Sequence, residues 1–222
     1  MLFPVLKDTL TFYWQNLKLL AAIMLPLVIP LELFNMVLGL TWTADENNVP
    51  QLVASIMAQL IVYPIYQTAL VLAVADRLVG KTPDIKQLWA QGANLWFMIV
   101  LANVLFYVGV FTGLILLIIP GIFLMIRWSL VEQNIVLNQE NPLEALRSSW
   151  KDTSDHFWLI LFGGLILGIG VLLITTPIST FISNLSDGSP VAMFFPSVLQ
   201  SLTYPLFVVF LMRVRHYIRH KE

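Results

Sequence analysis

The sequence predicts an all-α, polytopic membrane protein, and three observations carry that expectation. Of 222 residues, 58% are hydrophobic and only 11% charged. The apolar residues gather into six long stretches, and all but one of the twelve Lys and Arg residues fall outside them. A soluble domain carries roughly 25% charged residues and could not hide this much apolar surface, so lipid must be the solvent for much of the chain.

A transmembrane helix needs ~20 mainly apolar residues. The spans expected are Leu19–Leu40, Leu52–Ala75, Leu95–Ile118, Gly121–Leu137, Phe157–Thr176 and Val191–Met212. The first begins after Lys18 and is too long for a signal-peptide core, so it reads as an uncleaved span. The third and fourth nearly fuse. Pro120-Gly121 is the preferred break, because proline lacks a backbone donor and glycine tolerates a tight turn. The rival is Thr112-Gly113, which would leave Pro120 as a kink inside the fourth span.

Charge sets the expected orientation. Lys7, Lys18, Arg77, Lys81, Lys86, Arg147, Lys151, Arg213, Arg215, Arg219 and Lys221 all fall on one side of this layout. The loops Thr41–Pro50 and Pro177–Pro190 hold only Asp45, Glu46 and Asp187. By the positive-inside rule the basic side is cytoplasmic, with both termini inside. Trp14, Trp89, Trp96, Trp150 and Trp158 lie near inner boundaries and Trp42 near an outer one, where an amphipathic ring is best solvated.

A short polar-apolar segment precedes each odd-numbered span: Leu6–Leu17, Pro83–Asn94 and Asn141–His156. Each is expected as an amphipathic cytoplasmic helix at the interface, giving three hairpins with three feet. The third has the clearest signals, with Asn141 as N-cap, Pro142 in the first turn and Glu144 placed for a capping box. Lys7-Asp8-Thr9 precedes Trp14 by the interval at which Lys151-Asp152-Thr153 precedes Trp158. One transmembrane domain over 1–222 is expected, with parallel repeats at 1–76, 77–138 and 139–212 and a basic tail at 213–222.

Intramembrane charge is the first place to seek chemistry, since each such group costs ~2.5–3.5 kcal/mol on insertion scales. Glu32 and Arg127 are the prime candidates and Glu132 the third. At ~1.5 Å per residue, Glu32 lies ~21 Å from the inner side of a ~30 Å core. With the turn at Pro120, Arg127 reaches similar depth, and a Glu32–Arg127 pair between spans one and four is expected. Its simpler reading is a structural clamp; the functional one is a substrate or proton site. Under the rival turn, Arg127 snorkels to the headgroups. Glu132 points to a different face from Arg127 and approaches the inner interface with Gln133 and Asn134.

Asn103 and Gln59 read as interhelical hydrogen-bonding residues, and Pro26, Pro30, Pro64 and Pro205 as helix kinks or breaks. Gly109 and Gly113, and again Gly164 and Gly168, have the spacing that lets helix backbones approach closely. Packing within the bundle is the default reading for them, a homodimer contact the alternative. With no cysteine, disulfides and thiolate chemistry are excluded. His156, His216 and His220 are too scattered for a metal site, and no cofactor is expected. No hydrolase, nucleotide-binding or metalloprotease motif occurs. The basic tail fits anionic lipid, not nucleic acid.

Ile119-Pro120-Gly121-Ile122, then Arg127-Trp128, then Glu140-Asn141-Pro142-Leu143-Glu144-Ala145-Leu146-Arg147-Ser148-Ser149-Trp150-Lys151 resembles YciC-like bacterial inner-membrane proteins. It is similar as well to the membrane domain preceding some glycerophosphodiester phosphodiesterases. Asn141 stands where glycine is more usual. The resemblance implies six spans, the inner membrane and a loose association with the envelope; it supplies no catalytic residues. The expected function is that of a non-enzymatic inner-membrane protein of undefined biochemical role, an envelope-associated scaffold or partner of other membrane components in the lipid bilayer. The alternative is a small transporter or channel using Glu32 and Arg127.

Overall fold

The computed structural model describes residues 2–41, 49–187 and 189–219. Trp42, Asp45, Glu46, His220 and Lys221 therefore lie outside the described residues. The rest is helical: α1 (Leu2–Thr41), α2 (Val49–Leu78), α3 (Ile85–Leu116), α4 (Ile118–Arg127), α5 (Val131–Asn138), α6 (Pro142–Asp152), α7 (Phe157–Leu185), α8 (Pro190–Ser201) and α9 (Tyr204–Arg219). Five helical segments are long and apolar enough to cross a membrane: α1, α2, α3, α7 and the α8–α9 pair. The chain is a multi-pass membrane protein.

The expected fourth span is not one helix. α4 and α5 are separated by the turn Trp128–Leu130, and each is too short to cross alone. Nothing local explains the break; α6 supplies it. Ser149 Oγ donates to the Arg127 carbonyl at 2.8 Å and accepts from the Leu130 N–H at 3.1 Å. Thr153 Oγ1 donates to the same carbonyl at 3.1 Å. The preceding boundary also differs from both sequence alternatives. Leu117 is extended, with φ −161° and ψ 147°, and Pro120 sits in the first turn of α4, where its missing N–H costs nothing. A Cβ on Gly113 would stand 2.9 Å from the Gly121 Cα, so both glycines permit the close return of α4 along α3.

Two of the three expected feet are not separate helices. Leu6–Leu17 continues directly into α1, and Pro83–Asn94 runs from the Asp84 cap into α3. Only α6 stands alone, with Asn141 accepting from the Glu144 N–H and Glu144 returning to the Asn141 N–H, a complete capping box. The reason is partnering. Val5, Leu6, Phe12 and Tyr13 are buried, and α1 packs on α9 and α7, so this segment has protein to bury against. α7 likewise runs past the expected end at Thr176 and keeps Pro177 inside the helix.

The core lies toward the basic end of the bundle. Leu20, Ile23 and Met24 of α1 meet Ala69–Val71, Ala73 and Val74 of α2, Ile135 of α5 and Val208–Phe210 of α9. α2 is buried from Tyr66 to Val74 except for Leu72, whereas Ile56, Met57 and Ile61 are exposed. The opposite half of α2 is therefore parted from the core and free to wall a groove.

Removing the Ser149 hydroxyl leaves the fully buried Leu130 N–H without an acceptor. Ser149→Ala should cost about 1–3 kcal/mol. Denaturation of the detergent-solubilised protein measures it, and an unchanged midpoint would dismiss this role for the α6 serine.

Candidate functional site: a carboxyl ring under an intramembrane groove

The residues that meet around Glu132 come from four helices. α2 places Gln59, Tyr63 and Gln67 at four-residue spacing, one face of a helix. α3 contributes Asn103 and Tyr107 in the same way. α5 begins at Val131, so Glu132 stands in its first turn, where the helix dipole favours negative charge. α9 opens with Tyr204, delivered by the interruption at Leu202–Thr203.

The half-buried Glu132 carboxyl receives three side-chain donors. Tyr63 Oη donates to Oε1 at 2.8 Å, Asn103 Nδ2 to Oε1 at 3.0 Å and Gln67 Nε2 to Oε2. Tyr204 Oη donates to Gln67 Oε1 at 2.7 Å and lies 2.8 Å from the Tyr63 hydroxyl, which closes a ring. Among the described residues no Lys or Arg pairs with Glu132. Its partners are all neutral. The ring's three oxygen–oxygen contacts are Glu132–Tyr63, Tyr63–Tyr204 and Tyr204–Gln67. An ionised carboxylate leaves two hydroxyl protons for those three contacts. A proton on the carboxyl, or a donor brought by a ligand, supplies the third.

Above the ring lies a cavity of about 670 Å³ between α2 and α3. Tyr63, Asn103 and Tyr204 form its polar side, and Val100, Val104, Val108 and Phe111 wall it. Ile56, Val104, Val108 and Phe111 are exposed, so the cavity opens sideways from the bundle at the level of the spans. The volume is in the range of small-molecule sites, which combine apolar walls with a few polar groups.

Glu32 and Arg127 are not brought together. The Glu32 carboxyl is half-buried and hydrogen-bonds Asn35 one turn along α1, whose Oδ1 accepts from Ser55 at 2.8 Å. Arg127 ends α4, which packs on α3 and α7 and not on α1. Its guanidinium lies 5.0 Å from the Phe123 ring and 5.3 Å from the Trp150 ring, with a 3.4 Å contact to the Trp150 carbonyl. Equal depth says nothing about which helices are neighbours, and the expected pair fails on adjacency. Gly109 admits the Trp128 ring and Gly113 meets Gly121, but Gly164 and Gly168 have nothing within 4 Å and do not pack in the bundle. Tyr63, Gln67 and Tyr204 were absent from the sequence candidates; the Gln59–Tyr63–Gln67 spacing was the available signal.

This architecture defines a class: a multi-pass helical membrane protein with an uncompensated carboxyl beneath a lateral groove. A family model described as a domain of unknown function (DUF7847) matches residues 19–214, and the chain belongs to that family. No curated protein and no solved structure matches.

A double-mutant cycle separates the two pairings. Glu132→Gln with Tyr63→Phe should show a coupling of about 1 kcal/mol or more, and Glu32→Gln with Arg127→Gln less than about 0.5 kcal/mol. Unfolding midpoints of the four single and two double variants give both numbers.

Proposed function

We propose that this protein is a non-enzymatic, intramembrane binding or carrier protein for a small amphiphile with a primary ammonium head. The observation that carries the reading is the groove itself, apolar along its walls and ending at the hydroxyls of a carboxyl ring, which is one donor short whenever Glu132 is ionised. An alkyl chain fits among Val100, Val104, Val108 and Phe111. The head then replaces Tyr63 as donor to Glu132 Oε1, and Tyr63 turns its proton toward Tyr204. A ligand without a hydrogen-bond donor leaves the ring short, and an alcohol brings a donor but not the positive charge that pairs with an ionised carboxylate. The site moves from the expected Glu32 and Arg127 to Glu132, and the transporter alternative rests on that carboxyl.

In this reading an ammonium head competes with a proton for Glu132. The expected result is that decylamine raises the unfolding midpoint of the protein in phosphatidylcholine nanodiscs, whereas decanol and decanoate do not. Affinity should climb with pH, by at most about tenfold per unit, because proton release accompanies binding. Glu132→Gln should abolish both the amine preference and the pH dependence. Equal stabilisation of wild type and Glu132→Gln by decylamine would refute the proposal.

A scaffold role is the second reading. It is favoured by the face of α7, where Gly164, Gly168 and Gly170 stand open. The resemblance to YciC-like proteins supports placement in the bacterial inner membrane, and the one-sided basic residues support cytoplasmic termini, with α4 and α5 together making a sixth crossing. Reporter fusions after Lys81 and Lys151 should then read cytoplasmic and a fusion after Asp187 periplasmic. A cytoplasmic signal at Asp187 would reverse this orientation.

A further inference from the structure

A second groove lies on the other side of the bundle, between α4 and α7, with a volume of about 570 Å³. One end carries Arg127, Ser154 and Asp155; the rest is apolar and includes Ile119, Ile122 and Leu161. Arg127 and Asp155 line the same groove without forming an ion pair. Arg127 is held between Phe123 and Trp150, its Nε is buried with no partner, and its one hydrogen bond is the long one to the Trp150 carbonyl. Among the described residues no carboxylate pairs with it. Asp155 is exposed in the turn before α7. That turn leads into the expected headgroup level at the basic end of the bundle.

We infer that this groove binds a phospholipid with a primary ammonium head, of the phosphatidylethanolamine type, placing its phosphate on Arg127 and its ammonium on Asp155. A guanidinium in an apolar groove needs an anion, and its planar fork suits a phosphate. A carboxylate beside it would repel an anionic headgroup but complements a zwitterion whose positive end lies beyond the phosphate. The acyl chain continues along Ile119, Ile122 and Leu161. A lone phosphate ion would satisfy Arg127 but leave the apolar wall uncovered, so the lipid is the favoured source.

The test is native mass spectrometry of the full chain, released from detergent holding equal phosphatidylethanolamine, phosphatidylglycerol and phosphatidylcholine. Wild type should retain phosphatidylethanolamine about tenfold over phosphatidylcholine. Arg127→Gln, which removes the phosphate contact all three lipids share, should lower retention of all of them below the wild-type phosphatidylcholine level. Asp155→Asn, at an exposed position that leaves folding intact, should keep phospholipid but lose the ethanolamine preference. Added inorganic phosphate should displace nothing. The inference is overturned if wild type prefers phosphatidylglycerol, if Asp155→Asn keeps the full ethanolamine preference, or if free phosphate empties the groove. Decylamine binding at Glu132 should be the same in Asp155→Asn as in wild type, so this site and the carboxyl ring stand or fall separately.

Discussion

Lipid offers no hydrogen bonds, so every backbone group freed inside a span must find its partner within the protein. Proline is where that demand is sharpest, because it removes the donor to the carbonyl four residues back and its ring crowds the preceding turn. Near three of the prolines, a carbonyl of that turn receives a side-chain donor from another helix. Trp89 Nε1 donates to Ile23 at 3.0 Å, Trp96 Nε1 to Ile61 at 3.0 Å and Tyr13 Oη to Leu202 at 2.8 Å. Ile23, Ile61 and Leu202 each stand three residues before a proline: Pro26, Pro64 and Pro205. Each bond joins two different parts of the bundle and so fixes α3 against α1 and α2, and α1 against the α8–α9 junction.

The same requirement explains the run that includes Glu144-Ala145-Leu146 and Ser149. Ser149 lies on α6, which the Asn141 capping box starts cleanly, and its hydroxyl serves both sides of the α4–α5 break. Thr153 assists, and it also bonds back to the Ser149 carbonyl at 2.8 Å. The expected amphipathic foot is therefore a structural plug for the α4–α5 break. Its tryptophan, Trp150, turns inward over Arg127 as well as toward the interface. Two expected interfacial anchors, Trp89 and Trp96, likewise spend their indole N–H groups on neighbouring helices.

Hydropathy made the membrane class and most long helices legible, because lipid exposure acts on every residue of a span. Adjacency was not legible. The break at Trp128–Leu130 has no glycine or proline and exists through a side chain some twenty residues away. Continuity of the first two feet with α1 and α3 depends on protein partners that an isolated amphipathic pattern does not reveal. Asn103 could be picked out as a lone polar residue in a span, yet its acceptor, Glu132, had been assigned toward the interface. Tyr63 and Tyr204 were hidden because tyrosines count as apolar filler until an acceptor is identified.

The break also decides which chemistry each charged residue can serve. Five helical residues rotate a side chain by about 500°, leaving Arg127 and Glu132 about 140° apart even on an unbroken helix. The three-residue turn then restarts α5 against α2 and α3, while α4 stays with α3 and α7. The α4–α5 segment thus sends a carboxyl to the foot of one groove and a guanidinium into another. On adjacent turns of the same face they would have neutralised each other. Held apart, each keeps an unmet preference for an opposite charge or an extra donor; Arg127 lines one apolar-walled cavity, and Glu132 lies behind Tyr63, Asn103 and Tyr204, which line the other. In a bilayer that combination selects for molecules with a chain and a polar head.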